Sequence, residues 1–245
     1  MPSLGALKDH TDSRDYDFAN PRLAKAEIAN EAVLPSLYEP GPPGSQESIG
    51  ACVAWACVAV REILIRRMAP DTIVRLSPLF LYWEARQLGG IQGDSGSYLR
   101  DGFKALANVG LPPEHLWPYD TAKVLASPDS RAYQQALNYR IYVYRRLQTI
   151  GDMKQCLSSG FPFALSMAVF PAGPFTYLPL DNNTLQMPAP GATSELGHAI
   201  CVMGYVRNLF LARNSWGPEW GSGGHFWIPF DYVERYMWDA WMAEA

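Results

Sequence analysis

The chain has 245 residues, of which 48% are apolar, 13% aromatic and 18% charged, and its formal net charge is -4. That length suits one large domain or two closely packed subdomains, and the composition is that of a folded globular protein rather than a disordered one. The slight acidity and the lack of a long basic run argue against binding nucleic acid through its phosphates.

The first residues, MPSLGALKDHTDSRDYDF, contain no apolar core segment and so do not read as a secretory signal. Residues 1–33 form an N-terminal extension without clear periodicity, and VLPSLYEPGPPGSQ at 33–46 reads as an extended loop. Cys52 to Arg67 predicts a helix, apolar on every side over Val53–Val60 and hence buried, with Arg61, Glu62, Arg66 and Arg67 at its far end. Ser77 and Pro78 suit the cap and first position of a second helix, closed by Gly89-Gly90. A third runs from Tyr98 to Asn108 and stops before Gly110 and Pro112-Pro113.

Beyond this point the pattern changes to short strands: Tyr139–Leu147, Phe163–Val169, His198–Tyr205, Leu209–Asn214 and His225–Pro229, with one helix near Gly151–Ser159. Helices first and strands later predict an α+β chain of two lobes, mainly helical over 34–118 and mainly β over 119–245. The uncharged stretch Gln155–Leu180 is broken by Pro162, Pro171, Pro174 and Pro179, so no membrane-spanning helix is expected there.

Cys52 follows the small residues Gly50-Ala51 and opens a buried helix, where free N–H groups and the helix dipole favour a thiolate, the nucleophilic form of cysteine. Gln46, six residues earlier, can aim a side-chain amide at an oxyanion, together with the Cys52 N–H. His198, at the head of the run AICVMGY, can take the thiol proton and return it to a leaving group. Asn214 can accept from the imidazole and fix its tautomer, and Trp216 can shield that bond. Each residue alone also has a plain structural reading; the ordered set of four is far more specific. Cys57, Cys156 and Cys201 read as buried free thiols, which points to a reducing compartment and a cytoplasmic location. The four His and four Cys show no zinc-type pairing, and no cofactor is expected. Gly93-Asp94-Ser95-Gly96 is similar to a serine-protease nucleophile motif, but only His10 precedes it.

GSQESIGACVAW resembles the nucleophile region of papain-like cysteine peptidases, GHAICVMGY the His strand and RNSWGPEWGSGGHFWI the Asn segment. LSPLFLYWEAR, DSGSYLRDGFKAL and LPPEHLWPYD resemble segments of prokaryotic members, and the likeness runs from about Leu34 to Val233. In the papain example the His and Asn lie about 130–150 residues beyond the Cys; His198 lies 146 and Asn214 162 residues beyond Cys52. The resemblance implies a helical lobe and an antiparallel β-barrel-like lobe with the site in the cleft between them. It also implies peptide-bond hydrolysis through a thiolate–imidazolium pair and an acyl-enzyme. The catalytic residues carry over to Gln46, Cys52, His198 and Asn214. Gly96 and Ser97 would bind an extended peptide or protein substrate by backbone hydrogen bonds, and Tyr98, Ser166, Leu196 and Ala199 would line an apolar-preferring subsite.

Three departures stand out: Glu47 where Gly commonly follows the Gln, Val53 where Trp commonly follows the Cys, and Ile49 in place of a disulfide Cys. The stretch before Leu34 is too short for an inhibitory prodomain of usual size, so control is expected from expression, delivery, narrow specificity or a regulatory partner. Acyl transfer or deamidation by the same site, and an inactive peptide-binding scaffold, are the alternative functions.

Overall fold

The computed structural model describes residues 3–13, 15–18, 27–172 and 177–245, so residues 14 and 19–26 of the N-terminal extension lie outside the described residues. Six α-helices occur among them: α1 (Cys52–Met68), α2 (Pro78–Gly89), α3 (Leu99–Asn108), α4 (Ser130–Ala136), α5 (Ile150–Ser158) and α6 (Phe230–Tyr236). The strands are β1 (Ala6–Leu7), β2 (Glu31–Val33), β3 (Ser97–Tyr98), β4 (Val143–Arg146), β5 (Phe163–Ala168), β6 (Leu180–Asp181), β7 (Thr184–Leu185), β8 (Gly197–Val206), β9 (Leu209–Arg213), β10 (His225–Pro229) and β11 (Met237–Glu244).

Every residue of α1 from Cys52 to Ile65 is buried, in keeping with its lack of a polar face. That burial includes Arg61 and Glu62, which the sequence placed at a polar end. Arg61 Nε donates to the Tyr139 carbonyl at 3.0 Å, and Glu62 Oε1 accepts the Leu76 N–H at 2.8 Å. α2 starts as its sequence predicts: Ser77 accepts from the Phe80 N–H, Pro78 takes the first turn, and Gly90 at φ +64° ends the helix in the left-handed region.

The main sheet has nine strands, ordered β4-β11-β5-β8-β9-β10-β7-β6, with β2 paired to β8. It is antiparallel except between β10 and β7. Its strand order does not close, so the barrel-like lobe expected from sequence is an open, mixed sheet. One apolar core lies between α1–α3 and the sheet, holding Val53, Ile63, Phe80, Phe103 and Trp241. A second, around Phe163, Tyr205, Phe210, Phe226 and Tyr232, lies with α5 and α6 against the sheet.

The long strand expected over 139–147 is only β4, because Leu137–Tyr139 completes a short helical run that begins with α4. The C-terminal strand β11 has no counterpart in the sequence reading. It sits centrally between β4 and β5 and is buried from Asp239 to Ala243, so strict polar–apolar alternation is absent.

Candidate active site

α1 packs against β8 and β5, which brings the helix start, with Cys52, to the start of β8, with His198. Both side chains are fully buried. The Cys52 sulfur lies within bonding reach of the backbone N–H of Ala199, the residue after His198. β9 runs back antiparallel to β8, so Asn214, one residue past its end, returns to the His.

His198 Nε2 lies 2.8 Å from Asn214 Oδ1. That oxygen also accepts the Ser215 N–H at 2.8 Å, which identifies it as the acceptor and makes Nε2 the donor. In the neutral ring the lone pair is therefore on Nδ1, a buried atom with no hydrogen-bond partner. Trp216 lies over the imidazole, ring centres 4.7 Å apart at 35°, where the sequence placed a shield.

Gln46 is fully buried and held on both sides of its amide. Oε1 accepts from Ser215 Oγ at 2.8 Å and Trp216 Nε1 at 3.2 Å, so Nε2 is turned the other way. The Gln46 N–H donates to the Ser215 carbonyl at 2.8 Å, and its own carbonyl accepts from Tyr119 Oη at 2.9 Å. Ser215 was missed from sequence, where it read only as the link between Asn214 and Trp216. Glu47 adopts φ +53°, a conformation that favours Gly, which accounts for the commoner residue there.

The loop before Cys52 is tied to the peptide-binding edge. Asp94 Oδ1 accepts from the Gly50 N–H at 2.9 Å and from Tyr82 Oη at 2.6 Å, and Tyr82 Oη in turn accepts from the Gly96 N–H at 3.0 Å. This is the use the fold makes of the Gly-Asp-Ser-Gly run; Ser95 is exposed and donates to the Gln92 carbonyl.

The cleft is filled. The segment Ser3–His10, here called the strap, runs through it. Its strand β1 pairs in parallel with β3, Ala6 opposite Ser97 and Leu7 opposite Tyr98. Ser97 N–H donates to the Gly5 carbonyl at 2.9 Å, so an edge expected to grip peptide grips the chain's own. Gln46 Nε2 donates to the Ser3 carbonyl at 2.7 Å and to the Ile49 carbonyl at 3.0 Å. Gly5 presents its N–H to the Cys52 sulfur. A Cβ on Gly5 would lie 2.0 Å from the Gly50 carbonyl oxygen, and one on Gly96 would lie 2.2 Å from the Gly5 oxygen, so both positions require glycine. The N-terminal segment thus lies against Gln46, Gly50 and the Ser97 edge.

Of the expected subsite residues, Ser166 and Ala199 are buried cross-strand partners on β5 and β8. Tyr98 is half-buried beneath the strap and Leu196 is 45% exposed. Asp239, opposite Ser166 on β11, is 1% exposed and was not foreseen.

Burial sets the protonation of the covered pair. It pushes the Cys52 thiol up to about 11, against the lowering effect of the N–H groups of Ala199 and Gly5, and pushes His198 down to about 4, against the Asn214 bond. Under the strap both groups are neutral at pH 7. Cys57, Cys156 and Cys201 are buried free thiols, also pushed up by burial. His225 binds Glu39 at 2.9 Å, and Glu39 also pairs with Arg213. No helix among the described residues is long and apolar enough to cross a membrane.

A sequence profile of papain family cysteine proteases matches residues 41–236. A peptidase C1-like protein of Acanthamoeba polyphaga mimivirus is 31% identical over 216 residues, 81% of this chain and 68% of its own length. Human cathepsin L2 is 25% identical over 209 residues, 78% of this chain but 57% of its own length, so the chain spans little more than half of that relative. The crystal structure of xylellain, a cysteine protease from Xylella fastidiosa, superposes with a TM-score of 0.89 at 29% identity, covering 100% of this chain and 96% of that one. With its fold and these matches together, the chain belongs to the papain family of cysteine proteases.

Proposed function

We propose that this papain-family peptidase cleaves peptide or protein substrates with Cys52 as nucleophile, His198 as base and acid, Asn214 as the residue that positions His198, and Gln46 with the Cys52 N–H as oxyanion donors. The observation that carries the reading is the bond from Gln46 Nε2 to the Ser3 carbonyl at 2.7 Å: a peptide oxygen already sits on the donor, beside a buried thiol at a helix start. His198 Nδ1 holds a free lone pair for the thiol proton, because Asn214 fixes the opposite tautomer.

The strap is an occupant and not a substrate. It runs parallel to β3, and the sulfur has the Gly5 N–H among its partners, so the strap covers the thiol with a donor. Once it leaves, water reaches the pair, desolvation falls, and the proton can pass from Cys52 Sγ to His198 Nδ1. The thiolate then adds to a substrate carbonyl carbon and the C=O electron pair moves to an oxygen held by Gln46 and the Cys52 N–H. Collapse breaks the C–N bond as His198 gives its proton to the leaving amine. Water, deprotonated by His198, then cleaves the thioester and regenerates the thiol. Control accordingly lies in the chain's own segment.

The test is product analysis by mass spectrometry on a mixed peptide library with the full chain carrying Gly5→Ala, whose added Cβ forces the strap off the Gly50 carbonyl. New peptide ends that vanish when Cys52→Ala is added are expected. Glutamine side chains converted to glutamate, or amines joined to peptides, without new ends would instead establish deamidation or acyl transfer.

A further inference from the structure

The strap also covers a cluster of polar groups between α3 and β11. α3 begins after Tyr98, which provides no side-chain cap, so the first N–H groups of this ten-residue helix need acceptors from elsewhere. Asp9 supplies one. Both its carboxylate oxygens lie 3.2 Å from the Arg100 N–H, and Oδ2 also accepts from Trp241 Nε1 at 2.9 Å. With the strap in place Trp241 is fully buried and Arg100 is 6% exposed, so these donors are matched by Asp9 and not by solvent. The Arg100 guanidinium bonds the strap's His10 carbonyl at 2.6 Å and, beyond the strap, Asp15 Oδ2 at 2.5 Å, and its Nε is buried without a partner. Asp239 accepts the Asp9 N–H at 2.8 Å and pairs with Arg146.

When the strap withdraws, Trp241 Nε1 and the Arg100 N–H lose Asp9 as their acceptor, and the Arg100 guanidinium loses the His10 carbonyl while keeping Asp15. Water can serve these donors while the cleft is open, but a bound peptide excludes it again, and a buried donor left unmatched is costly, so binding favours a side chain that restores an oxygen there. Resting on the peptidase reading above, we propose that the opened cleft contains a polar specificity subsite, formed by the Arg100 N–H at the start of α3 and by Trp241 Nε1, that selects a substrate residue with the short oxygen-bearing side chain of aspartate or asparagine. Asp9 is the strap's own occupant of that subsite.

Charge is not what the pocket rewards. Burial, then the nearness of Asp239, push Asp9 up to about 6, against the lowering effect of the Trp241 and Arg100 bonds. The fixed N–H donors read an acceptor oxygen, which an amide supplies as well as a carboxylate, and the amide N–H₂ can face Asp239. Leu or Phe would leave the donors unmatched, and Lys would bring a cation beside Arg100 and Arg146. This replaces the apolar preference expected from Tyr98, Ser166, Leu196 and Ala199, since Ser166 lies directly opposite Asp239.

Two measurements on the full chain test it. In the first, the Gly5→Ala variant cleaves a positional-scanning library. In the second, a Cys52→Ser, Gly5→Ala chain binds peptides of one frame carrying Asp, Asn, Leu or Lys at the selected position, read by calorimetry. The expected result is one position at which Asp and Asn each exceed Leu and Lys by about tenfold, the worth of a matched buried donor, in cleavage and in binding. Adding Trp241→Phe should shrink that ratio. The binding measurement keeps the test intact if Trp241→Phe does not fold. Binding without discrimination, or with a preference for Leu, overturns the proposal and leaves Asp9 as a fastening for the strap alone. Discrimination in binding without any cleavage upholds the subsite and overturns the peptidase reading instead.

Discussion

Gly5→Ala should expose the nucleophile without touching it. The strap passes so close to the wall that an added Cβ would lie 2.0 Å from the Gly50 carbonyl oxygen, and this is backbone that cannot swing aside. Under the strap Cys52 is pushed up to about 11, so at pH 7 roughly one molecule in ten thousand carries the thiolate. A solvated thiol near its ordinary value of about 8.5 is ionised to about 3% at the same pH, roughly 300-fold more. Pairing with a charged His198 would add to that figure. Iodoacetamide labelling at pH 7 with mass-spectrometric mapping therefore should show Cys52 reacting at least about a hundredfold faster in Gly5→Ala than in the wild-type chain. Cys156 and Cys201 are fully buried and serve as internal controls. Equal Cys52 rates in two chains of the same thermal stability would refute the reasoning, because the strap would then not be what keeps the thiol neutral.

Gln46→Ala in the strap-released chain should lower kcat by about a hundredfold with little change in KM, the usual cost of one oxyanion donor; an unchanged kcat would remove Gln46 from that role. Asn214→Ala leaves His198 Nε2 buried without an acceptor and should cost about 1–3 kcal/mol of transition-state stabilisation, read as kcat/KM; no kinetic effect would end its assignment as the positioning residue. Strap docking should depend on pH through Asp9. Its carboxyl is raised to about 6 when docked, against an ordinary value near 3.9, so docking is strongest below about pH 4 and weakens as pH rises through 6, by at most about 3 kcal/mol. Amide exchange of Gly5–Leu7, corrected for its intrinsic rate, should show more protection at pH 4.5 than at pH 7 in the wild type. Asp9→Asn should flatten that trend, and greater protection at pH 7 would contradict it.

The proposed catalytic residues could be named from sequence because the proposed chemistry demands fixed residue types in fixed order: an amide donor, a thiol at a helix start, an imidazole and an acceptor for it. α1 was legible because its first turns lack a polar face, and α2 because Ser77, Pro78 and Gly90 mark its ends. The strap was not. Its hold on the cleft is made largely by backbone groups of Ser3, Gly5 and Ala6–Leu7, which carry no side-chain signature, and its two tight contacts need only glycine. β11 escaped because its buried run lacks alternation, and with it went Asp239 and Trp241, which are polar in function and buried by position. Ser215 escaped because its role is to hold Gln46, a residue 169 positions away, and no local pattern encodes that.

One carboxylate oxygen, that of Asp94, holds the Gly50 amide and, through Tyr82, the Gly96 amide. The loop before Cys52 and the edge that begins β3 are thus fastened to a single carboxylate in the loop after α2. Neither wall can shift without straining the bonds to Asp94, so a displacement of one is passed to the other. Peeling away the strap would then bare two sides that are already fastened together, independently of the strap itself.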